Sequence, residues 1–386
     1  MPRLLFASLL LLLLLLLLAA CRQNDPVRIG YLAELNGRYA DVGMAGRNGA
    51  LLAVEDANRK GGIHGHPVEL LVRDDRQNPD VVRKMVAELQ AAGVAAIVGP
   101  MISQMGIAVK PELDRRRLLA LSPTVSTSRL DNQDDWFFRL YPSTRQFGAD
   151  YAAWIRRSHG LDSMIAVIDE ANAAYTQTFY QAFSRNFSRL GGRMLPPVTY
   201  YSGKHIPFYR LAREIAASAA AGLLILASAM DTAMLCQQLK GLGFSRPTFA
   251  SEWSGTEDIL RFGSSAIEGL IFYNTFDRDN GSHLYRRFVE RYRQRFGQNP
   301  GFASVHAYDA ASILIETLRR NGDPARLKRT LLAIGSFRGL QGLLTFTPTG
   351  DIQRRRFQVE IRDGRFRTID EDSRPASPPG QKTSSS

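Results

Sequence analysis

Residues 46–75 read GRNGALLAVEDANRKGGIHGHPVELLVRDD. From Gly43 to Lys60, Ala50, Leu51, Val54 and Ala57 recur at helical spacing and share one face. Gly61-Gly62 then stops the helix, because glycine readily takes the left-handed backbone that ends one. Pro67 to Asp75 predicts a strand, and Val27 to Leu35 upstream predicts another. Strand, helix and strand in that order make a βαβ unit, whose two strands run parallel.

The alternation continues in both directions. Asn78 is placed as a helix cap with Pro79 at the first helical position. Ala95 to Val98 and Leu118 to Leu121 are continuous apolar runs, as strands buried on both faces require. After a crossover near Tyr141 to Ser143 the pattern restarts. Strands are predicted at Met164 to Ile168, Val198 to Tyr201, Leu223 to Ala227, Thr248 to Ala250 and Leu270 to Tyr273. Helical patterns from about Ala173 to Leu190, Phe208 to Ala217 and Asp231 to Leu242 separate them. The fold class that follows is α/β: two similar doubly wound lobes on parallel sheets. Three more helices are expected at Ser282 to Phe296, Ser304 to Arg320 and Pro324 to Leu332. Tyr285, Phe288, Tyr292 and Phe296 recur at near-helical spacing and read as core. Leu343 to Gly364 is β-rich, and from Asp370 the composition predicts a disordered tail over 370–386.

The N-terminus carries an export signal: Arg3, an apolar run from Leu4 to Ala20, and ten unbroken leucines from Leu9 to Leu18. The run is about long enough to span a bilayer, so an uncleaved membrane helix is the competing reading. Leu18-Ala19-Ala20-Cys21 resembles a bacterial lipobox, which implies a signal peptide over 1–20, lipidation of Cys21 and a short tether over 21–26. Cleavage there leaves 366 of 386 residues, enough for two domains. The other cysteine, Cys236, lies in a helical pattern and reads as a small buried hydrophobe. The net charge of +12 resides largely in arginine clusters such as Arg115 to Arg117 and Arg354 to Arg356. Export argues against nucleic acid. The clusters read as solvated faces, with attraction to an anionic membrane surface as the alternative.

Several stretches resemble the leucine/isoleucine/valine-type (type 1) periplasmic binding proteins. They are Gly46, Gly49, Leu52 to Asn58, Gly61-Gly62-Ile63, Gly65, Val68-Glu69-Leu70 and Asp74-Asp75. Ile97 to Pro100 with Ser103, Leu121-Ser122-Pro123 and Tyr308-Asp309-Ala310 add to them. So does the spaced set Gly339, Gly342, Gly350-Asp351 and Asp363-Gly364. The resemblance spans Val27 to Ile369. It implies three crossing segments, with one lobe of 27–143 plus 277–349 and another of 144–276 plus 350–369. It also implies an ABC transporter substrate-binding lipoprotein outside the cytoplasm, which takes a small amino-acid-like ligand and hands it to a permease.

In parallel sheets ligands bind beyond the carboxyl ends of the strands. Ser103 and the run Thr124, Val125 and Ser126 follow adjacent strands at matching ends, where a helix N-terminus favours a carboxylate. The resemblance makes them the carboxylate site, although either loop alone reads equally well as a helix cap. Tyr175 matches the family's aromatic wall, and Glu252-Trp253 lies where the family often has an acid for an ammonium group. The register leaves open which of the two faces the cleft. Val42 and Ser228 depart from the family's usual contacts and imply a differently shaped site. Asp231 and Thr232 either compensate for Ser228 or simply start the next helix.

No phosphate loop, His-Glu-x-x-His, paired-cysteine or Gly-x-Ser-x-Gly motif occurs. The sequence therefore predicts no catalysis, no cofactor and no metal, with the pair His64 and His66 as a weak metal signal. A lipoprotein of the same fold that regulates a cell-wall enzyme or sensor by contact is the alternative function.

Overall fold

The computed structural model describes residues 25–202 and 204–372. The signal peptide expected over 1–20, Cys21 and residues 373–386 lie outside the described residues. The first sheet has the order β2-β1-β3-β4-β5, all parallel. Its strands are β1 (Val27–Ala33), β2 (Val68–Asp74), β3 (Ala96–Val98), β4 (Ala120–Ser122) and β5 (Phe137–Arg139). Helices α1 (Ala40–Arg59), α2 (Pro79–Ala91) and α3 (Ser103–Arg116) connect them. The Asn78 side chain accepts from the N–H groups of Asp80 and Val81, so the cap forms as the sequence indicates.

After β5 the chain crosses to a second sheet. Helix α4 (Thr144–His159) leads into β6 (Ser163–Asp169), α5 (Ala173–Arg189), β7 (Arg193–Met194) and β8 (Val198–Tyr200). Then come α6 (Phe208–Ala217), β9 (Gly222–Leu226), α7 (Ala229–Gly241), β10 (Thr248–Ser251), α8 (Asp258–Gly263) and β11 (Ile271–Asn274). The chain returns to the first sheet for α9 (His283–Phe296), α10 (Phe302–Asn321) and α11 (Leu327–Ile334). A small antiparallel sheet of β12 (Ser336–Gly339), β13 (Gly342–Phe346) and β14 (Ile352–Gln353) follows. The third crossing leads to β15 (Arg356–Arg362) and β16 (Arg365–Asp372). We call the two sheets with their helices lobe 1 and lobe 2.

Two features differ from the sequence reading. The second sheet, β16-β15-β11-β10-β9-β6-β7, is mixed rather than parallel, because β15 runs antiparallel to β11. The chain leaves lobe 2 at the end of β11 and re-enters beside that same end, so the returning strand must run the other way. In addition, β16 continues to Asp372, into the stretch whose composition suggested disorder, because its backbone pairs with β15.

The glycines of α1 have a packing role. A Cβ at Gly49 would stand 2.0 Å from the Ser304 carbonyl oxygen on α10, so that approach requires glycine. The aromatic stripe on α9 is core, with Tyr285, Phe288 and Tyr292 buried and their rings in successive contact. Each such side chain contributes roughly 1.5–3 kcal/mol relative to exposure. Cys236 is buried, and burial pushes its thiol up to about 12.

Candidate functional site

The carboxyl ends of β3, β4, β6 and β10 face one another across the lobes. Between them lies a narrow cavity, with about 30 Å³ open to the centres of water-sized spheres. Lobe 1 contributes Ser103 at the start of α3, and Thr124 and Ser126 in the loop after β4. Lobe 2 contributes Tyr175 on α5 and Trp253 after β10. Tyr141, on the first crossing, walls one side. Val42, Met101, Ile102 and Phe302 of lobe 1 and Asn172 of lobe 2 complete the lining.

The two serine loops converge. The Ser126 N–H donates to Ser103 Oγ at 3.3 Å. The Ser126 hydroxyl is buried and has no partner. A buried hydroxyl without a partner costs about 1–3 kcal/mol, so a site that leaves one facing a cavity is built for something that accepts from it. The start of α3 adds the positive end of a helix dipole. Together these features suit an anionic oxygen pair.

The other predicted residues divide. Val125 turns into the core of lobe 1, and its N–H donates to Ser122 Oγ at 3.1 Å rather than toward the cavity. Ser228 does not line the cavity; its hydroxyl caps α7 by accepting from the Asp231 N–H at 3.3 Å. Thr232 is also turned away, donating to Ser254 Oγ at 3.0 Å. Of the pair after β10, Trp253 faces the cavity and Glu252 turns behind it. The Glu252 carboxylate accepts from the Thr275 N–H and hydroxyl, both at 3.0 Å. Burial pushes its carboxyl up to about 7. The Tyr141 hydroxyl lies beside Glu252, close enough to interact with it, but makes no well-aligned hydrogen bond. Residue-type reasoning missed Met101, Ile102, Asn172 and Phe302, and named Tyr141 only as part of a crossing. Only proximity to a strand end or helix start marks them in sequence.

The lobes are closed onto each other. The Gln104 N–H donates to Asn172 Oδ1 at 3.3 Å, and the Tyr39 hydroxyl donates to Asp169 at 3.0 Å. Arg38 forms an ion pair with the buried Asp231, which also accepts from the Tyr200 hydroxyl at 2.8 Å. Thr256 of lobe 2 donates to Asp41 of lobe 1 at 2.7 Å. His66 Nδ1 lies 2.9 Å from the Asp25 carbonyl oxygen, in a turn on lobe 1. Among the described residues no helix is long and apolar enough to cross a membrane.

Two α/β lobes closed over a shared cavity, reached by three crossings, define the class of two-lobed binding proteins. Residues 26–365 match the sequence profile of the family described as periplasmic binding protein, and the chain belongs to that family. The chain is 22% identical over 332 residues to Leu/Ile/Val-binding protein homolog 1 of Brucella abortus, covering 84% of this chain and 87% of that one. The LivJ branched-chain amino acid transporter substrate-binding protein of Streptococcus pneumoniae, solved with isoleucine, superposes with a TM-score of 0.82. Identity is 18%, over 89% of this chain and 99% of that one. An ABC transporter solute-binding protein of R. palustris, solved with benzoate, has the same score and identity over 90% and 96% of the two chains. At these identities the structural likeness speaks for the fold. The family comprises solute-binding proteins rather than enzymes and implies an extracytoplasmic location.

Proposed function

We propose that this chain is an ABC transporter receptor for a small carboxylate, an amino acid or a related acid, held at the membrane by a lipid on Cys21. The moving bodies are residues 27–143 with 277–349 and residues 144–276 with 350–369. Ligand favours the closed form only in so far as it binds that form more tightly than the open one. A permease then reads closure. The observation that carries this reading is the unpartnered Ser126 hydroxyl beside Ser103 and the start of α3, on a cavity walled by both lobes. Ser103 and Ser126 hold the carboxylate beside Thr124, whose own hydroxyl donates to the Met101 carbonyl, while Tyr175 and Trp253 cover the ligand's body from lobe 2. Relatives carry names tied to leucine, isoleucine and valine, and solved neighbours hold isoleucine or benzoate, which supports this ligand range.

A melting-temperature screen against amino acids and small organic acids tests the proposal. One compound at a hundredfold excess over its dissociation constant adds about 2.7 kcal/mol of stability. If no small carboxylate raises the melting temperature, the receptor reading fails. The anchor is tested separately: Cys21→Ser is expected to move the protein from the membrane fraction to the soluble one.

A further inference from the structure

Resting on the receptor reading, the geometry points to a ligand without an ammonium group: a monocarboxylate with an apolar, chiefly aromatic body. None of the eleven side chains that line the cavity is charged. An α-amino acid brings a positive charge as well as a negative one. An ammonium taken out of water is costly unless it is paired and hydrogen-bonded.

The nearby carboxylates have other partners. Asp169 accepts from the Tyr39 hydroxyl and from the N–H groups of Ala171 and Ser202, at 3.0 to 3.1 Å. Asp231 is paired with Arg38 and Tyr200. Glu252 stands where the resemblance places an ammonium-pairing acid, yet it is turned to Thr275, and Tyr141 takes the place on the cavity wall. Aromatic faces do not replace an acid here. A ring face attracts a cation only weakly, and a primary ammonium over it still has three N–H groups to satisfy.

What the cavity does offer is apolar area and neutral donors. Tyr175 and Trp253 meet edge-on at 5.8 Å and present a continuous aromatic wall. Tyr141 and Phe302 add two more rings. The buried hydroxyls on this wall, Ser126 without a partner and Tyr141 beside Glu252, are neutral. Ser126 serves the carboxylate. Tyr141, on the first crossing, suits a ligand hydroxyl or carbonyl oxygen.

Titration calorimetry of the full chain against matched pairs tests this inference: 3-phenylpropanoate with L-phenylalanine, and 4-methylpentanoate with L-leucine. In each pair the acid without the amino group is expected to bind at least tenfold more tightly. Equal or tighter binding of the amino acids overturns the inference and leaves the receptor reading standing. Binding of none of these or of benzoate removes both. Asn172→Asp places a carboxylate on the wall with little change in shape. It is expected to weaken phenylpropanoate and to shift the ratio toward phenylalanine by at least tenfold. A ratio that does not move also counts against the inference.

Discussion

The cavity between the lobes and the place where the three crossings meet share Tyr141 as a common wall, and they differ sharply in charge. The cavity lining has no ionised group. On the other side of that wall, Glu252, His306, Asp309 and Arg354 are all buried. All three crossings meet there. The first brings Leu140, whose carbonyl accepts from Arg354 at 3.1 Å. The second brings Thr275, bonded to Glu252 and 3.3 Å from His306 Nε2. The third brings Arg354 itself, 3.5 Å from Asp309 on α10. Neutral hydroxyls suit a surface that must take up and release a solute. A buried ion cluster suits a place where three strands of chain must keep one arrangement, because its cost is recovered only when each partner is in position.

Removing the one cation of that cluster should have the largest effect. Arg354→Met leaves Asp309 and Glu252 buried without their positive neighbour. Urea denaturation is expected to show a loss of about 3–5 kcal/mol. A loss under about 1 kcal/mol would mean that water reaches the cluster, and the contrast with the cavity would disappear.

The next effect concerns Glu252. Its carboxyl rises from 4.5 to about 7, with burial as the largest cause. The fold therefore prefers the protonated acid. Its contribution is complete below about pH 4.5, declines as pH rises to about 7, and is absent above. By linkage this amounts to about 3 kcal/mol. Glu252→Gln should remove that part of the pH profile and be the more stable protein at pH 8. Asp309 is raised to about 6 by burial and slopes the same way, while His306 is pushed down by burial and slopes oppositely. The informative quantity is thus the difference between the two proteins' stabilities from pH 4 to 8. A flat difference would show that Glu252 does not titrate in this window.

On the cavity side, Ser103→Ala combined with Ser126→Ala is expected to weaken carboxylate binding about 100-fold. That corresponds to two charge-assisted hydrogen bonds at the low end of about 1.5–3 kcal/mol each. Unfolding should move little, since only the Ser126 N–H loses a partner within the protein. Wild-type affinity in the double variant would take the carboxylate site away from these loops.

The chain's βαβ alternation was legible because each strand is an apolar run and each helix repeats an apolar face. Ser103, Thr124 and Ser126 were legible for the same reason: a strand end is a local feature. Tyr175 and the pair Glu252-Trp253 came from the family resemblance at strand ends of the second series, with the choice within the pair left open. What the sequence could not reveal is what depends on rotation about a strand end or on contact between distant segments. Glu252 and Trp253 are adjacent, and only the packing of Glu252 against Thr275 decides that the tryptophan faces the cavity. Ser228 has the character of a contact residue, but a serine just before a helix caps it when its hydroxyl reaches the third N–H, as it does here. The antiparallel β15 depends on where the third crossing re-enters, which no local pattern encodes.

The smallest effect should come from the clasp at the cleft's rim. Arg38 of lobe 1 pairs with Asp231 of lobe 2, and the pair exists only while the lobes are closed. Arg38 is about one-third exposed, so solvent and salt screen the attraction, and about 1 kcal/mol is an upper expectation. Apparent affinity scales with the population of the closed form, so Arg38→Gln should raise the dissociation constant by at most about fivefold without touching the cavity. Salt supplies the control. Between 50 mM and 500 mM sodium chloride the wild type should lose affinity toward the value of the variant, while the variant should barely respond. If both proteins lose affinity in parallel, the salt acts on the ligand's own carboxylate, and closure owes nothing to the clasp. If neither responds and Arg38→Gln still weakens binding, the arginine acts through its shape rather than through its charge. Only the convergent outcome ties an ion pair outside the cavity to the grip of a cavity that has no charge of its own.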